Sequence, residues 1–398
     1  MSPKTLALLL VILVALVWWQ GHPRAGGTER APGSAILPGL DVNAIDRIEV
    51  ASAAATSVVE RRDGQWVVPS LFGHPADFQK VADALRGLAD LKVGQVVRDA
   101  GQYPEEFGLA ATSPVFRVAL SGASGFHAAL ELGATKREGA QEGFAGYESG
   151  RYLRAAGGTV VLVADPLQSF ADASGEWIRK ELLNVAPPEL DRVTVAVSNA
   201  EHVLLIKGSN QYEVEGLKDG EETDPAGAAR LVGALQSLSC LTVADPALTD
   251  EAAGFGAPDR CTVLARNRME YTLQLGGAGP EAGSRYLRID VAYREPAPPT
   301  LEQVAKSIPV AAESAGSDTG RVEKVQAEYR ERLQAHEAEI AARREERGRL
   351  EKRFRGWTYV IPAGTAESLI LPRGQLVKAK PPVAPAAVSP QGQDQGPP

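Results

Sequence analysis

Two stretches of this chain carry the same succession of apolar and polar positions. Near the start of the first, AIDRIEVAS (44–52) alternates; near the start of the second, ELDRVTVAV (189–197) does the same. Alternation with period two predicts a strand with one buried face. RRDGQWVV (61–68) then matches GSNQYEVEG (208–216). Asp63-Gly64 is a two-residue hairpin signal, and an aromatic, Trp66 or Tyr212, opens the strand that follows. A helical stretch comes next in each. Phe78, Val81, Leu85, Leu88 and Leu91 form one stripe, and Ala228, Leu231, Leu235, Leu238 and Leu241 form another with the same steps of three and four. Such steps place the side chains on one helical face.

The rest of each stretch agrees. EEFGLAATSPVFRVAL (105–120) faces EAAGFGAPDRCTVLA (251–265), each with a Phe-Gly, a proline and a strand. HAALELGA (127–134) faces EYTLQLGGA (270–278), and both lead to the tetrapeptide RYLR, at 151–154 and at 285–288. The expected fold is α+β: two tandem repeats of an antiparallel sheet, each with one helix packed on its apolar face. The first repeat is expected over 38–164 and the second over 184–294 plus 356–377. Between them, 165–183 reads as short helices in which Trp177, Ile178, Leu182 and Leu183 pin the repeats together.

The second repeat is interrupted. RYLR in the first is followed at once by AAGGTVVLV, a tight hairpin. In the second, the partner strand arrives only with WTYVIP (357–362). The insertion, 295–355, is expected to be helical from about Thr319 to Arg355. Glu328–Arg332, Glu339–Arg343, Glu345–Arg349 and Glu351–Arg355 are acid-before-base pairs at i,i+4, which favours a helix. At 1.5 Å per residue it extends on the order of 50 Å. Its thin apolar seam includes Tyr329, Leu333, Ile340, Leu350 and Phe354. Three readings stand: a solvated helix, a helix folded back on its own repeat, and a projecting arm that docks a partner or a second copy. From Lys378 the chain is proline-rich and reads as a disordered tail, 378–398.

The N-terminus bears on location. Leu6 to Trp19 is an unbroken apolar run of about 14 residues, short of the ~20 of an untilted membrane span. It falls within the ~7–15 residues of a signal-peptide core. Trp18 and Trp19 close it as interfacial aromatics do, and no small-x-small cleavage site follows. Residues 1–20 are therefore read as a signal-anchor helix in membrane lipid, and 21–37 as a flexible linker. The body of the chain is then exported, as a single-pass inner-membrane protein facing the periplasm.

Composition adds exclusions. A net charge of −8 on 398 residues gives no basic surface for nucleic acid. Cys240 and Cys261 are the two cysteines. In an oxidising compartment they are candidates for a disulfide; the alternative is two small buried hydrophobes. The five histidines, His22, His74, His127, His202 and His336, are scattered and have no zinc-ligand spacing. SGASGFH (121–127) sits where a hairpin turn is needed and is no nucleophile elbow. There is no Gly-Lys dipeptide and hence no phosphate loop. Pro280 interrupts GGAGPEAG (276–283), and a strand follows where a dinucleotide site needs a helix. KDGEETD (218–224) reads as a solvated turn before a helix N-terminus. RYLR in a strand splits its arginines between two faces, which favours an exposed hairpin over an anion site. No catalytic, metal or cofactor residue is assigned, and no cofactor is expected.

The order of these motifs resembles the bacterial domain-of-unknown-function family numbered 4340. The resemblance rests on LPGLDVNAIDRIEV, DGQWVV, HPADFQKVADALRGLADLKV, EEFGLAATSPVFRVAL, LELGATK and RYLRAAGGTVVLVADPL, almost the whole first repeat, and recurs more weakly in the second. It implies an envelope component facing the periplasm, associated with gliding-type ABC-transporter permease and auxiliary subunits, and transfers no catalytic residue. The insertion and the tail depart from that pattern. The expected function is a non-enzymatic, membrane-anchored accessory protein that works by protein contacts. The alternatives are a binding module for an envelope polymer or small ligand, and a hydrolase with a non-standard site.

Overall fold

The computed structural model describes residues 31–380, except 54, 98–102, 111–112, 114, 123–124, 140–145, 156–157, 171–176, 199 and 309–317. The chain divides into two compact units between Arg179 and Lys180. It is mixed α and β, with mostly antiparallel sheets and few helices. The 1–20 segment, with Trp18 and Trp19, lies outside the described residues. Among those described, no helix is long and apolar enough to cross a membrane.

The first unit contains β1 (Ile45–Ala51), β2 (Thr56–Arg62), β3 (Gln65–Val68), β4 (His74–Pro75) and helix α1 (Phe78–Asp90). β5 (Gln95–Val96), β6 (Phe116–Gly122), β7 (His127–Glu138), β8 (Tyr147–Ala155) and β9 (Val160–Val163) follow. They form one sheet in the order β4-β3-β2-β1-β6-β7-β8-β9-β5. Asp63 and Gly64 both have positive φ, the left-handed pair that the β2–β3 turn requires. The expected 21–37 linker ends early. Gly33 N–H donates to Val93 O, Ile36 N–H donates to Leu91 O, and the Ile36 side chain is fully buried. These bonds and the buried isoleucine tie the segment to the chain that follows α1.

The second unit opens with β10 (Glu181–Leu183), β11 (Leu190–Val197), β12 (Ala200–Gly208), β13 (Gln211–Val214), β14 (Glu221–Thr223) and α2 (Pro225–Gln236). It continues with β15 (Leu238–Ser239), β16 (Thr242–Val243), β17 (Asp259–Ala265), β18 (Met269–Ala278) and β19 (Ser284–Tyr293). Then come α3 (Leu301–Ser307), α4 (Asp318–Phe354), β20 (Tyr359–Pro362), α5 (Ala363–Leu369) and β21 (Val377–Ala379). The main sheet runs β13-β12-β11-β17-β18-β19-β20-β16. Both main sheets thus run outward through a meander, cross by a helix to the far edge, and return through adjacent antiparallel strands. Each has a register shift beside its Asp-Arg, between Ile45 and Arg47 in β1 and between Leu190 and Arg192 in β11.

Several expectations need correction. Glu181–Leu183 is a strand paired with β15, not part of a helical connector, because Leu182 and Leu183 are buried within the second unit. Glu221–Thr223 is also a strand, paired with β21, while Asp224 caps α2 through the amides of Ala226 and Gly227. Lys378 and Ala379 belong to that pairing, so the C-terminal fold extends beyond the expected tail boundary.

Eight of the ten stripe residues are buried, but the equivalence between the two stripes shifts by one turn. Asp77 caps α1 and Asp224 caps α2. Counted from those caps, the buried positions are Val81, Ala84, Leu85 and Leu88 in α1 and Ala228, Leu231, Val232 and Leu235 in α2, the same offsets in each. Phe78, assigned to the stripe, is 67% exposed at the first helical position, and Leu241 is 42% exposed beyond the end of α2. A pattern of threes and fours matches itself after one turn, so the stripe alone does not set the register.

Candidate functional site

The two RYLR segments make closely similar contacts. Arg151 Nε donates to Gly133 O at 2.9 Å, and Arg285 Nε donates to Gly276 O at 3.0 Å. Each glycine follows the apolar end of the neighbouring strand. A Cβ on Gly133 would overlap the Phe107 carbonyl, and one on Gly276 would overlap the Ala253 carbonyl. Those carbonyls accept from Ala134 N–H and Gly277 N–H, both at 2.8 Å. The turn that presses on the strand is therefore Phe107-Gly108 in one unit and Ala253-Gly254 in the other. Phe255-Gly256, the dipeptide visible in the sequence, lies two residues further on. Leu153 and Leu287 are fully buried. Tyr152 packs edge-on against Phe107 with centroids 4.9 Å apart, and Tyr286 is buried in a cluster with Ala253 and Phe255.

The last arginines reach the same turns. Arg154 donates to Glu131 at 2.9 Å and to Leu109 O at 3.3 Å. Arg288 lies 4.1 Å from the Phe255 ring centroid and donates to Asp250 at 2.7 Å and to Thr358 at 3.0 Å. All four guanidinium groups are occupied by carbonyls, carboxylates or a hydroxyl. Burial lowers the pKa of Arg151, against the opposing charge of Glu148. These contacts register a hairpin against a turn and leave no free fork for an anion.

The insertion contains the 37-residue helix α4. Of the expected i,i+4 pairs, Glu328–Arg332 closes at 2.8 Å, Glu345–Arg349 at 3.4 Å and Glu351–Arg355 at 3.5 Å. Arg343 pairs with Glu346 instead, at 2.8 Å. The C-terminal part of α4 lies along β19. Arg344 grips Glu295 through two bonds of 2.6 and 2.8 Å, and Phe354 meets Tyr359 edge-on. Burial and the nearby Glu346 raise the Tyr271 pKa, and burial raises that of Tyr359. α3 packs on α4, with Val304 and Val325 buried. Tyr329, Leu333, Ile340 and Leu350 are half-buried, while Phe354 is 1% exposed. Phe354 is thus a core residue of the second unit and is unavailable as a docking residue, because the helix end folds onto the sheet.

Cys240 and Cys261 are free thiols and form no disulfide. Cys261 lies mid-strand in β17, paired with Val195 and Leu273, and Cys240 follows β15, its N–H on Lys180 O. Burial pushes the Cys240 thiol up to about 11 and the Cys261 thiol up to about 12. Neither is a reactive thiolate at neutral pH. Among the described residues no group of three or more His, Cys, Asp or Glu side chains converges to hold a metal.

Sequence reasoning missed two features of the second unit. One is an open cleft of about 470 Å³ at the β13 edge, lined by Lys207, Tyr212, Leu217, Thr223 and Pro225 among others. In the first unit β3 pairs directly with β4, whereas in the second β14 pairs with β21 in a separate two-stranded sheet. The other is the strap formed by residues 371–379. Arg373 donates to both Glu221 oxygens and to Gly216 O, and this fork holds the Glu221 carboxyl down to about 2. The only sequence signal for the strap is the buried pair Leu371 and Leu376 just before the proline-rich tail.

The family model described as Domain of unknown function (DUF4340) matches residues 66–258. That segment is a member of this family. It begins in β3, runs across the boundary between the units, and stops just before β17. The match is therefore one span through both units, and it leaves out β1 and β2. This corrects the expectation of one near-complete match in the first repeat with a weaker echo in the second. The α4 insertion lies outside the matched span. No curated protein and no solved structure matches the chain.

Proposed function

We propose that this chain is a membrane-anchored accessory protein of an envelope or ABC-transport assembly, built from two copies of one α+β module and acting through protein contacts. The observation that carries the reading is the insertion of α4 between β19 and β20. Its C-terminal end is committed to the sheet, while its preceding turns are mostly exposed and carry the half-buried seam Tyr329, Leu333 and Ile340. A helix of this length that is only partly used by its own fold suits docking of a partner helix or subunit. Duplication of the module is supported by the shared strand order, the shared register shift and the matching buried offsets of α1 and α2. The anchor is supported by the Leu6–Trp19 run closed by Trp18 and Trp19. The transport setting rests on the family resemblance.

The test is recovery of partners from solubilised membranes with the full chain as bait. Permease-like or auxiliary subunits are expected with the native chain. Tyr329→Ala together with Leu333→Ala should weaken their recovery while leaving the second unit folded. Failure of the native chain to retain any envelope partner overturns the reading. A second reading, binding of a small ligand or polymer end, is favoured only by the cleft beside Tyr212. It predicts a ligand-induced rise in Tm that Tyr212→Ala abolishes.

A further inference from the structure

His202 sits on β12 beneath the C-terminal strap and is 7% exposed. Among the described residues its Nε2 is buried with no hydrogen-bond partner. The strap reaches this part of β12 through Arg373, which donates to Gly216 O at 3.1 Å, next to the Glu215 N–H that donates to Val203 O at 2.9 Å. Asp224 N–H donates to Leu376 O at 2.8 Å and Lys380 N–H donates to Gly220 O at 2.8 Å. Gly227, in the first turn of α2, leaves room for the crossing, since a Cβ there would overlap the Gln375 carbonyl. The strap is thus a thin, separately fastened segment laid over a buried imidazole.

We propose that His202 makes the C-terminal strap a pH-responsive latch, and that protonation of its imidazole loosens residues 371–379 from β14 and the first turn of α2. A buried neutral imidazole is cheap to accommodate, and a buried imidazolium is not. Two charged groups act on the ring. Arg373, on the strap itself, opposes a second positive charge, and Glu201, its neighbour on β12, favours one; the Leu371 carbonyl also favours a proton on the ring. Burial outweighs the favourable partners and lowers the pKa below its usual 6.5. The folded state therefore binds fewer protons than an opened one as pH falls below that value, so closure weakens on acidification. The other fastening does not respond there, because the Arg373–Glu221 fork holds its carboxyl down to about 2. Opening uncovers the paired edge of β14 and the first turn of α2.

Amide exchange of the full chain, corrected for intrinsic pH dependence, tests this at the Asp224 and Lys380 amides. Their opening should rise as pH falls from 7.5 to 5.5, because the opened state takes up a proton on the ring that the closed state resists. His202→Gln and His202→Phe should make that opening independent of pH in this range. Glu201→Gln, which leaves the buried ring in place, should move the response to lower pH. The proposal is overturned if native opening does not change with pH, or if either His202 variant keeps the native response. A Glu201→Gln profile superimposable on the native one also counts against it.

Discussion

The hairpins β8–β9 and β19–β20 differ in almost everything except their register. Leu153 faces Val161 in the first, and Leu287 faces Tyr359 in the second. A few residues connect the first pair, while α3 and α4 intervene in the second. Loop-closure entropy grows only as the logarithm of length, so the longer connection costs on the order of 2–3 kcal/mol more. Burying one Phe-sized side chain offsets about that much, and Phe354 is buried at the point where the chain re-enters the sheet. A hairpin whose ends are pinned by core residues tolerates a large insertion, provided the insertion contributes burial where it returns.

Both hairpins depend most on their buried leucines. Leu153→Ala and Leu287→Ala should each destabilise their own unit by about 3 kcal/mol, as buried Leu→Ala changes do. Equal losses in denaturant unfolding, despite the unequal connections, are the expected outcome. A next, smaller effect comes from replacing residues 295–355 with Ala-Ala-Gly-Gly, the first unit's solution. The second sheet should still form, less stable by about 2 kcal/mol for the apolar surface left uncovered. Tyr271, whose pKa is raised by burial and by Glu346, should return toward 10 in a spectrophotometric titration. Arg288→Met should cost about 1 kcal/mol by losing the cation–π contact with Phe255, measured as a shift in the urea midpoint. The smallest effect is local. Glu221 has a depressed pKa, so its contribution is present above its ordinary 4.5 and lost as pH falls through about 2. Glu221→Gln should remove the acid dependence of β14–β21 amide exchange across that window without altering the rest of the sheet.

Much of the architecture was legible because the signals were local. Alternation located the strands, Asp63-Gly64 located a turn, and graded ion pairs located α4. The misreadings share a cause. The alignment of one helical stripe on the other slipped by one turn because steps of three and four are self-similar, and the caps Asp77 and Asp224 break the tie. The Phe-Gly dipeptides misled because the pressing turn needs a glycine at 108 and 254, whereas the phenylalanine is free to stand before it or after it. Residues 221–223 looked solvated because their acidic side chains are opposed by Arg373 and Lys378 from far along the chain.

The α+β class, most of the main strands, the point of insertion and the helicity of α4 were readable from the sequence alone. Each follows from periodicity, turn chemistry or neighbouring charges, all short-range in the chain. The tertiary structure alone decided that α4 ends in the core, that both cysteines are spent as buried thiols, that RYLR secures a turn, and that a strap covers His202. Those outcomes depend on which distant segments compete for the same buried surface, and local pattern does not carry that information.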